Sequence, residues 1–243
     1  GVVMSVDTIR ILIGIPNYVF ADTTNNPLPL WTVTGTPTTS PKWEATTTSY
    51  YSSPNSYTDS RVGNYVNNAT VTMTMTNQVN LAGVASPRLV FWTKFSTETN
   101  WDYCQVEIST NNGSTWIPLQ GLYSNPGTGT FQPPGQPLYD GTIANWVREE
   151  IMLTPYVNQQ IKLRFKLRSD GGTVADGWYV DDIGIIYYTI VPVELNSFSA
   201  AATQNAIELT WITSSETNNR GFEVERKKVG SRSASGGAVS SEE

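Results

Sequence analysis

Histidine is missing from all 243 residues. Its absence excludes the Ser-His-Asp triad, the Cys-His pair, the His-Glu-x-x-His zinc helix and any imidazole pH switch. Cysteine occurs once, at Cys104, so no intramolecular disulfide forms. Within Trp101-Asp-Tyr-Cys-Gln-Val106 that thiol is expected at an inward-facing strand position; the alternative is a reactive thiol. Charge is sparse, at 15% of residues, and it leans acidic: 15 Lys+Arg stand against 21 Asp+Glu, a net of −6. Such a chain lacks the electrostatic footprint of nucleic-acid binding. Long hydrophobic runs are lacking too, and nothing approaches the ~20 apolar residues that span a bilayer. The most apolar stretch, residues 2–15, is interrupted by Asp7 and Arg10 and has no cleavage site after it. It predicts a strand rather than a signal peptide, and no membrane insertion is expected. Carboxylate-only chemistry remains open, as does the binding of oxygen-ligated metals such as calcium.

Threonine, serine and asparagine fill 72 positions, the stock of strands and turns. Alternation with a period of two dominates. Residues 69–76 place Val71, Met73 and Met75 on one face and Thr70, Thr72 and Thr74 on the other. Residues 88–95 read as a more buried, aromatic strand. Residues 102–109 alternate through Tyr103 and then Val106 and Ile108, with a shift at Cys104-Gln105. Residues 161–168 set Ile161, Leu163, Phe165 and Leu167 inward against Lys162, Arg164, Lys166 and Arg168 outward. Residues 177–188 set Tyr179, Asp181, Ile183 and Ile185 against Trp178, Val180 and Asp182. No stretch carries a convincing helical period. Turn clusters at 111–114, 124–127, 133–135 and 170–172 separate the runs. The pattern predicts an all-β chain whose main body, residues 18–190, is a jelly-roll β-sandwich. Residues 1–17 read as a strand or linker from a preceding domain. Residues 191–243 read as a partial fibronectin-III-like β unit, with Trp211 placed like the core tryptophan of that class and a flexible Ser/Ala/Gly-rich tail.

Acidic residues gather at Asp22, Asp59 and the pair Asp181-Asp182. In a jelly roll the first and last strands meet near the chain entry, so Asp22 and one of the pair become candidate neighbours, with Asp59 a third. Two or three carboxylates with backbone carbonyls make a Ca²⁺ site of 6–8 oxygens; the alternative is solvated turn aspartates. Adjacent strand residues point to opposite faces, so only one of Asp181 and Asp182 is expected to enter the site. Tyr50, Tyr51, Tyr57, Tyr123 and Trp146 read as loop aromatics, either stacking on sugar rings or covering the sandwich ends.

Three further patterns favour structural readings. The run Ser109-Thr-Asn-Asn-Gly-Ser-Thr-Trp116 fits the Asp-box pattern, but a single copy predicts a hairpin rather than a sialidase-type propeller. The Lys162/Arg164/Lys166/Arg168 ladder is expected to be neutralised by Glu107, Glu149 and Glu150 on neighbouring strands rather than to bind acidic polysaccharide. Asp176 with Asp181 or Asp182, and Glu149 with Glu150, are the tempting acid/base pairs, yet no cleft is implied for them, and no catalytic residue is expected. Asn68-Ala-Thr70 and Asn112-Gly-Ser114 match the glycosylation acceptor pattern, which recurs by chance in so Asn/Thr-rich a chain.

Several of these segments, in this order, resemble the MAM-like jelly-roll domain of immune inhibitor A-type secreted bacterial peptidases. They are Trp31-Thr, Ser53-Pro-Asn-Ser-Tyr57, Leu89-Val-Phe-Trp92, Trp101-Asp-Tyr103, Val106-Glu-Ile-Ser-Thr-Asn-Asn-Gly-Ser-Thr-Trp116, Arg164-Phe-Lys-Leu-Arg-Ser-Asp170 and Gly177-Trp-Tyr-Val-Asp-Asp-Ile183. The segments Val191-Pro-Val-Glu-Leu-Asn-Ser-Phe198, Glu208-Leu-Thr-Trp211 and Asn219-Arg-Gly-Phe-Glu-Val-Glu-Arg226 look like the fibronectin-III-like linker of proteins exported by type IX secretion. The resemblance implies a cation between the first strand and the terminal Asp-Asp-Ile strand, which maps onto Asp22 and Asp181 or Asp182. It also implies a piece of a longer protein, secreted or held on the outer cell surface of a bacterium, with a peptidase domain (such as a zinc carboxypeptidase) upstream. The expected function is that of a non-catalytic accessory domain for attachment and spacing, stabilised by calcium, with the catalytic domain of the same parent chain as partner. Two alternatives stand beside it. One is a carbohydrate-binding module for polysaccharide. The other is a structural or adhesive subunit that contacts cell-surface protein and self-associates through its terminal strands.

Overall fold

Alternating apolar and small polar residues form strands because one face can then be buried while the other stays wet or is covered by loops. The computed structural model describes residues 8–13, 16–24, 28–40, 42–188, 194–203, 206–215 and 222–227. In chain order the first strands are β1 (Thr8–Ile13), β2 (Pro16–Asp22), β3 (Trp31–Thr36), β4 (Glu44–Thr46), β5 (Ser56–Thr58) and β6 (Thr70–Met75). Next come β7 (Val79–Asn80), β8 (Arg88–Ser96), β9 (Tyr103–Ser109), β10 (Ile117–Pro118), β11 (Asn125–Pro126) and β12 (Pro137–Leu138). The last are β13 (Thr142–Met152), β14 (Gln160–Arg168), β15 (Gly177–Tyr188), β16 (Glu194–Ala202), β17 (Ile207–Ser215) and β18 (Phe222–Lys227). A single 3-10 turn, Thr154–Tyr156, is the only helical element among the described residues. The chain is all-β, as its alternation implies.

The strands divide into two units, residues 16–187 and residues 1–15 with 188–243. The first unit is a sandwich. One sheet runs β10-β9-β14-β6-β3, with β7 also on β14; the other runs β13-β8-β15-β5-β4, with β2 also on β15. Apart from β9–β10 and β4–β5, the neighbours are non-consecutive in sequence, which gives the jelly-roll connectivity. The cleanest alternation in the sequence becomes the centre of the first sheet: Ile161, Leu163, Phe165 and Leu167 of β14 are fully buried. Phe165 is the hub between the sheets. Its ring lies 5.2 Å from Phe91 on β8, 5.4 Å from Trp178 on β15, 5.7 Å from Trp31 and 6.2 Å from Trp43.

Two strands depart from their sequence reading. The register of β9 on β14 is unbroken from Tyr103↔Arg168 to Ser109↔Lys162, so no shift occurs at Cys104-Gln105. Cys104, Val106 and Ile108 face the core. Tyr103 faces outward, where the Phe131 ring at 6.3 Å covers it. The thiol of Cys104 is thus buried opposite Leu167, and burial raises its pKa well above the usual thiol value. In β15 the phase slips instead. A bulge between Asp181 and Gly184, with Asp182 at φ +46°, puts Trp178, Val180, Ile183 and Ile185 together in the core. The expected grouping of Tyr179 and Asp181 with Ile183 and Ile185 assumed uninterrupted alternation.

The second unit is built from two antiparallel pairs. β16 pairs with β17, setting Phe198 opposite Trp211. β1 pairs with β18 from Thr8↔Lys227 to Ile13↔Phe222. The N-terminal strand therefore finds its partner within the chain, in the C-terminal segment. The tail expected after residue 229 lies outside the described residues.

Removing the hub should cost more than any other core truncation of its size. Phe165→Ala is expected to lower the unfolding free energy by about 3–5 kcal/mol, read from urea denaturation, with the slope unchanged. A loss below about 1 kcal/mol would show that the two sheets do not meet through this ring.

Candidate functional site

The pairing of β2 with β15 brings Asp22 and Asp181 to one end of the sandwich. Asp181 is completely buried. Its Oδ2 accepts the backbone N–H groups of Tyr51 at 2.8 Å and Ser52 at 2.9 Å. Its Oδ1 accepts the Thr24 hydroxyl and the Asp182 N–H, both at 2.8 Å. Asp22 is also buried, and it accepts Trp31 Nε1 at 2.6 Å, the Thr24 N–H at 2.9 Å and the Tyr57 hydroxyl at 3.1 Å. Between the two carboxylates sits Thr24, at φ +58° and wholly buried. Its hydroxyl oxygen lies 2.6 Å from the Asn55 carbonyl, 2.7 Å from the Thr23 carbonyl and 2.8 Å from Asp181 Oδ1. A hydroxyl has one hydrogen to give. Three acceptors therefore converge where one donor is available, which is the oxygen-rich, hydrogen-poor setting of a cation site.

Asp182 joins this end as well. The bulge turns it back towards Ser52, whose hydroxyl lies 2.9 Å from Asp182 Oδ1 and 3.4 Å from Asp181 Oδ1. Strict strand alternation would have sent the two aspartates apart; the left-handed backbone at Asp182 overrides it. Burial, ahead of the opposing hydrogen bond from Ser52, holds the Asp182 carboxyl above the usual carboxylate range.

Asp59 is not part of this group. It follows the other end of β5, where its Oδ1 accepts the Trp178 N–H at 2.6 Å. Among the described residues its Oδ2 has no hydrogen-bond partner, and neither has Ser40 Oγ. The two line a small apolar cavity with Tyr65, Val71 and Leu167 that has no room for water. Burial pushes the Asp59 carboxyl up to about 7 against the opposing Trp178 hydrogen bond.

The aromatic candidates separate by environment. Tyr57 is buried in β5 between β4 and β15, with its hydroxyl on Asp22; it is a strand residue rather than a loop aromatic. Burial, then the charge of Asp22, raises its pKa. Tyr50 and Tyr123 are exposed. Tyr51 stacks on Trp92 with ring centroids 3.6 Å apart and planes 12° apart. Trp146 stands edge-to-face with Tyr179 at 6.5 Å, beside Lys94.

Two of the acid/base candidates, Glu149 and Glu150, make structural contacts. Glu149 is buried and accepts the N–H groups of Leu122 at 2.6 Å and Tyr123 at 3.1 Å, clamping that loop. Glu150 instead pairs with Arg88 at 2.6 Å. Both lie on β13 in the other sheet, so neither neutralises the β14 ladder as expected. Among the described residues Glu107 does so, gripping Arg164 and, at 2.8 Å, Lys166. The Asp-box run forms the β9–β10 hairpin, in which Asn111 Oδ1 accepts the Thr115 N–H at 2.9 Å and Trp116 lies under the Arg164 guanidinium at 4.4 Å. A cluster that sequence reading missed, Glu98, Asp102 and Asp170, holds loops together: Asp102 accepts the Tyr65 hydroxyl and the Asp170 N–H, each at 2.7 Å.

Comparison with known proteins follows the same outline. The profile of the immune inhibitor A-like MAM domain matches residues 36–190. Bacillopeptidase F of Bacillus subtilis (strain 168) is 28% identical over 149 residues, which are 61% of this chain and 9% of that protein. The chain thus spans about a tenth of its relative's length. The K1 cleaved adhesin domain of Lys-gingipain from Porphyromonas gingivalis W83 superposes with a TM-score of 0.46 at 14% identity, covering 71% of this chain and 98% of that one. The CBM22-1 xylan-binding domain of Paenibacillus barcinonensis Xyn10C gives a TM-score of 0.42 at 10% identity, covering 74% and 98%.

The cavity at Asp59 sets a pH dependence. Its folded pKa is raised above the ordinary 3.8, so the native state holds a proton that the unfolded chain releases. The stability from this group is full below pH ~4, falls as pH rises towards ~7, and is absent above it. Asp59→Asn should therefore stabilise the protein at pH 8, by up to a few kcal/mol, and have little effect at pH 4. Urea unfolding at both pH values checks this; an equal effect at the two would show that Asp59 is not held protonated.

Proposed function

The chain belongs to the immune inhibitor A-like MAM domain family, and on that premise we propose that it is a non-catalytic accessory module of a secreted bacterial peptidase-type protein. In this reading it attaches and spaces the catalytic part of its parent and is fastened by one calcium ion. A peptidase upstream and export by type IX secretion are the finer parts of the same proposal, and the sequence of the parent gene on either side of this region tests both. The carrying observation is the Thr24 hydroxyl with three acceptor oxygens within 2.8 Å. That arrangement fits Ca²⁺, which takes oxygen ligands from carboxylates and backbone carbonyls in flexible geometry. The residues that would hold it are Asp22, Asp181 and the carbonyls of Thr23 and Asn55, with Asp182 beside them. The ion supplies positive charge that offsets repulsion among these oxygens.

The carboxylates of the sandwich are engaged in ways that do not make an acid/base pair. An acid/base pair needs two carboxyl groups facing each other across a space for substrate. Asp181, Glu149 and Asp102 each accept backbone donors from loops, and Asp59 is sealed in a dry cavity. Turnover of peptide or glycoside by the purified chain, abolished by a point change within it, would overturn this part of the reading.

Calcium at ~100 times its Kd should add about 2.7 kcal/mol of stability, a melting shift of about 5–10 °C. Mg²⁺ should substitute poorly because it demands a tighter octahedral shell. Asp22→Asn should lose most of the shift, whereas Asp59→Asn should keep it. Identical melting curves in excess calcium and in chelator would remove the ion from the proposal.

A further inference from the structure

On the outer face of the second sheet the ladder between β13 and β8 is interrupted. Ile143 pairs with Phe95 and Val147 with Thr93, so four steps along β13 match two along β8. Ala144 to Trp146 thus stand opposite the single residue Lys94. A shallow groove opens beside this stretch, with about 160 Å³ of enclosed space, enough to take one edge of a sugar ring but smaller than a pocket that encloses a whole ligand. Lys94 forms its floor, and Tyr179, Asp176, Ser96 and Thr142 line its sides. A β-bulge that re-aims side chains into a recess is a built feature, because it costs ladder hydrogen bonds that a regular strand would keep.

Lys94 is the unusual member. Several other cations of the sandwich are paired: Arg88 with Glu150, Arg164 and Lys166 with Glu107. Lys94 has no carboxylate within ion-pair distance among the described residues. Its ammonium instead rests 4.4 Å from the Tyr179 ring centroid and 5.9 Å from that of Trp146. Contact with two rings orients the cation and leaves its remaining hydrogens for a ligand. Across the groove Asp176 Oδ1 accepts the Tyr179 hydroxyl at 3.1 Å and keeps acceptor capacity free. The Ser96 and Thr142 hydroxyls, 3.2 Å apart, add donors and acceptors on the third side.

We propose that this groove binds an acidic sugar, a uronic acid unit of a polysaccharide, with Lys94 taking the carboxylate and Asp176 the ring hydroxyls. The combination selects the ligand. A lone cation flanked by rings asks for an anion with an apolar face. A carboxylate acceptor close by then excludes a simple anion and requires donors on the same molecule. A sugar acid offers a carboxylate, vicinal hydroxyls and a ring face together; an acidic peptide side chain offers only the first. This inference deepens the attachment role proposed above by naming what the module attaches to. It does not depend on the calcium ion.

The test is isothermal titration of the full chain, in saturating calcium, with tri-galacturonic acid, neutral galactotriose and an acidic tripeptide. Tri-galacturonic acid should bind, and galactotriose should bind at least about tenfold more weakly, since a charged hydrogen bond is lost. Lys94→Met, which keeps the stem over Tyr179, should weaken the acidic sugar by a similar factor. Trp146→Ala should weaken it too, and Lys94→Arg should retain most of the binding. Unchanged melting temperatures for these variants separate lost binding from lost fold. Equal affinity for the neutral sugar, preference for the acidic tripeptide, or no heat from any of the three would each overturn the proposal. A calcium-dependent melting shift seen alongside such a failure would leave the accessory-module reading intact.

Discussion

Asp181 is the residue on which the chain entry, the 50s loop and the last strand of the sandwich all depend. It is fully buried, and a buried carboxylate is tolerable only when its lone pairs are filled. The Tyr51 and Ser52 N–H groups fill Oδ2, the Asp182 N–H takes one lone pair of Oδ1, and the Thr24 hydroxyl shares the last with the proposed cation. Three segments distant in sequence are therefore held by one side chain, and none of them could shift without stranding a buried charge. The placement also explains Tyr51, whose backbone is fixed by Asp181 and whose ring is thereby laid flat on Trp92.

Much of the sandwich was legible in its sequence because alternation is a strong signal when one face is apolar and the other is not. β6 and β14 show this, with Val71, Met73 and Met75 and the four β14 residues all buried as their pattern required. β9 and β15 were harder since every residue of β9, and most of β15, is buried on both faces, and alternation then carries little information. The β15 bulge had no local marker except Gly184, whose missing side chain makes room for the Tyr18 ring. Half of the proposed cation site could be read: the juxtaposition of Asp22 with Asp181 followed from topology. The other half consists of the Thr23 and Asn55 carbonyls, and backbone oxygens leave no trace in residue identity. Asp59 was grouped with them for its charge alone, although strand β5 carries it to the opposite end. The Lys94 groove was invisible in the same way, because it comes from a register change between β13 and β8 and not from any motif.

The two outer faces of the sandwich serve different ends. On the first sheet Glu107 ties Arg164 and Lys166 of β14 to each other, while Trp116, Tyr103 and Phe131 lie against Arg164, Lys166 and Arg168. The second sheet leaves Lys94 without an ion pair among the described residues, beside the interruption of its own ladder. Specificity, if it is to come from charge, has to come from a charge left uncommitted by the fold.

The β1–β18 pair has a mechanical consequence. Its register places Thr8 against Lys227 and Ile13 against Phe222, so the chain arrives and departs at the same end of the pair. Tension transmitted along the polypeptide from outside these residues reaches this seam before it reaches the sandwich. It pulls the two strands apart like a zipper, one rung at a time, rather than sliding them in shear. The seam is thus the weak link in series: it yields at low force, lengthens the molecule, and leaves the sandwich unloaded until the last rung has opened.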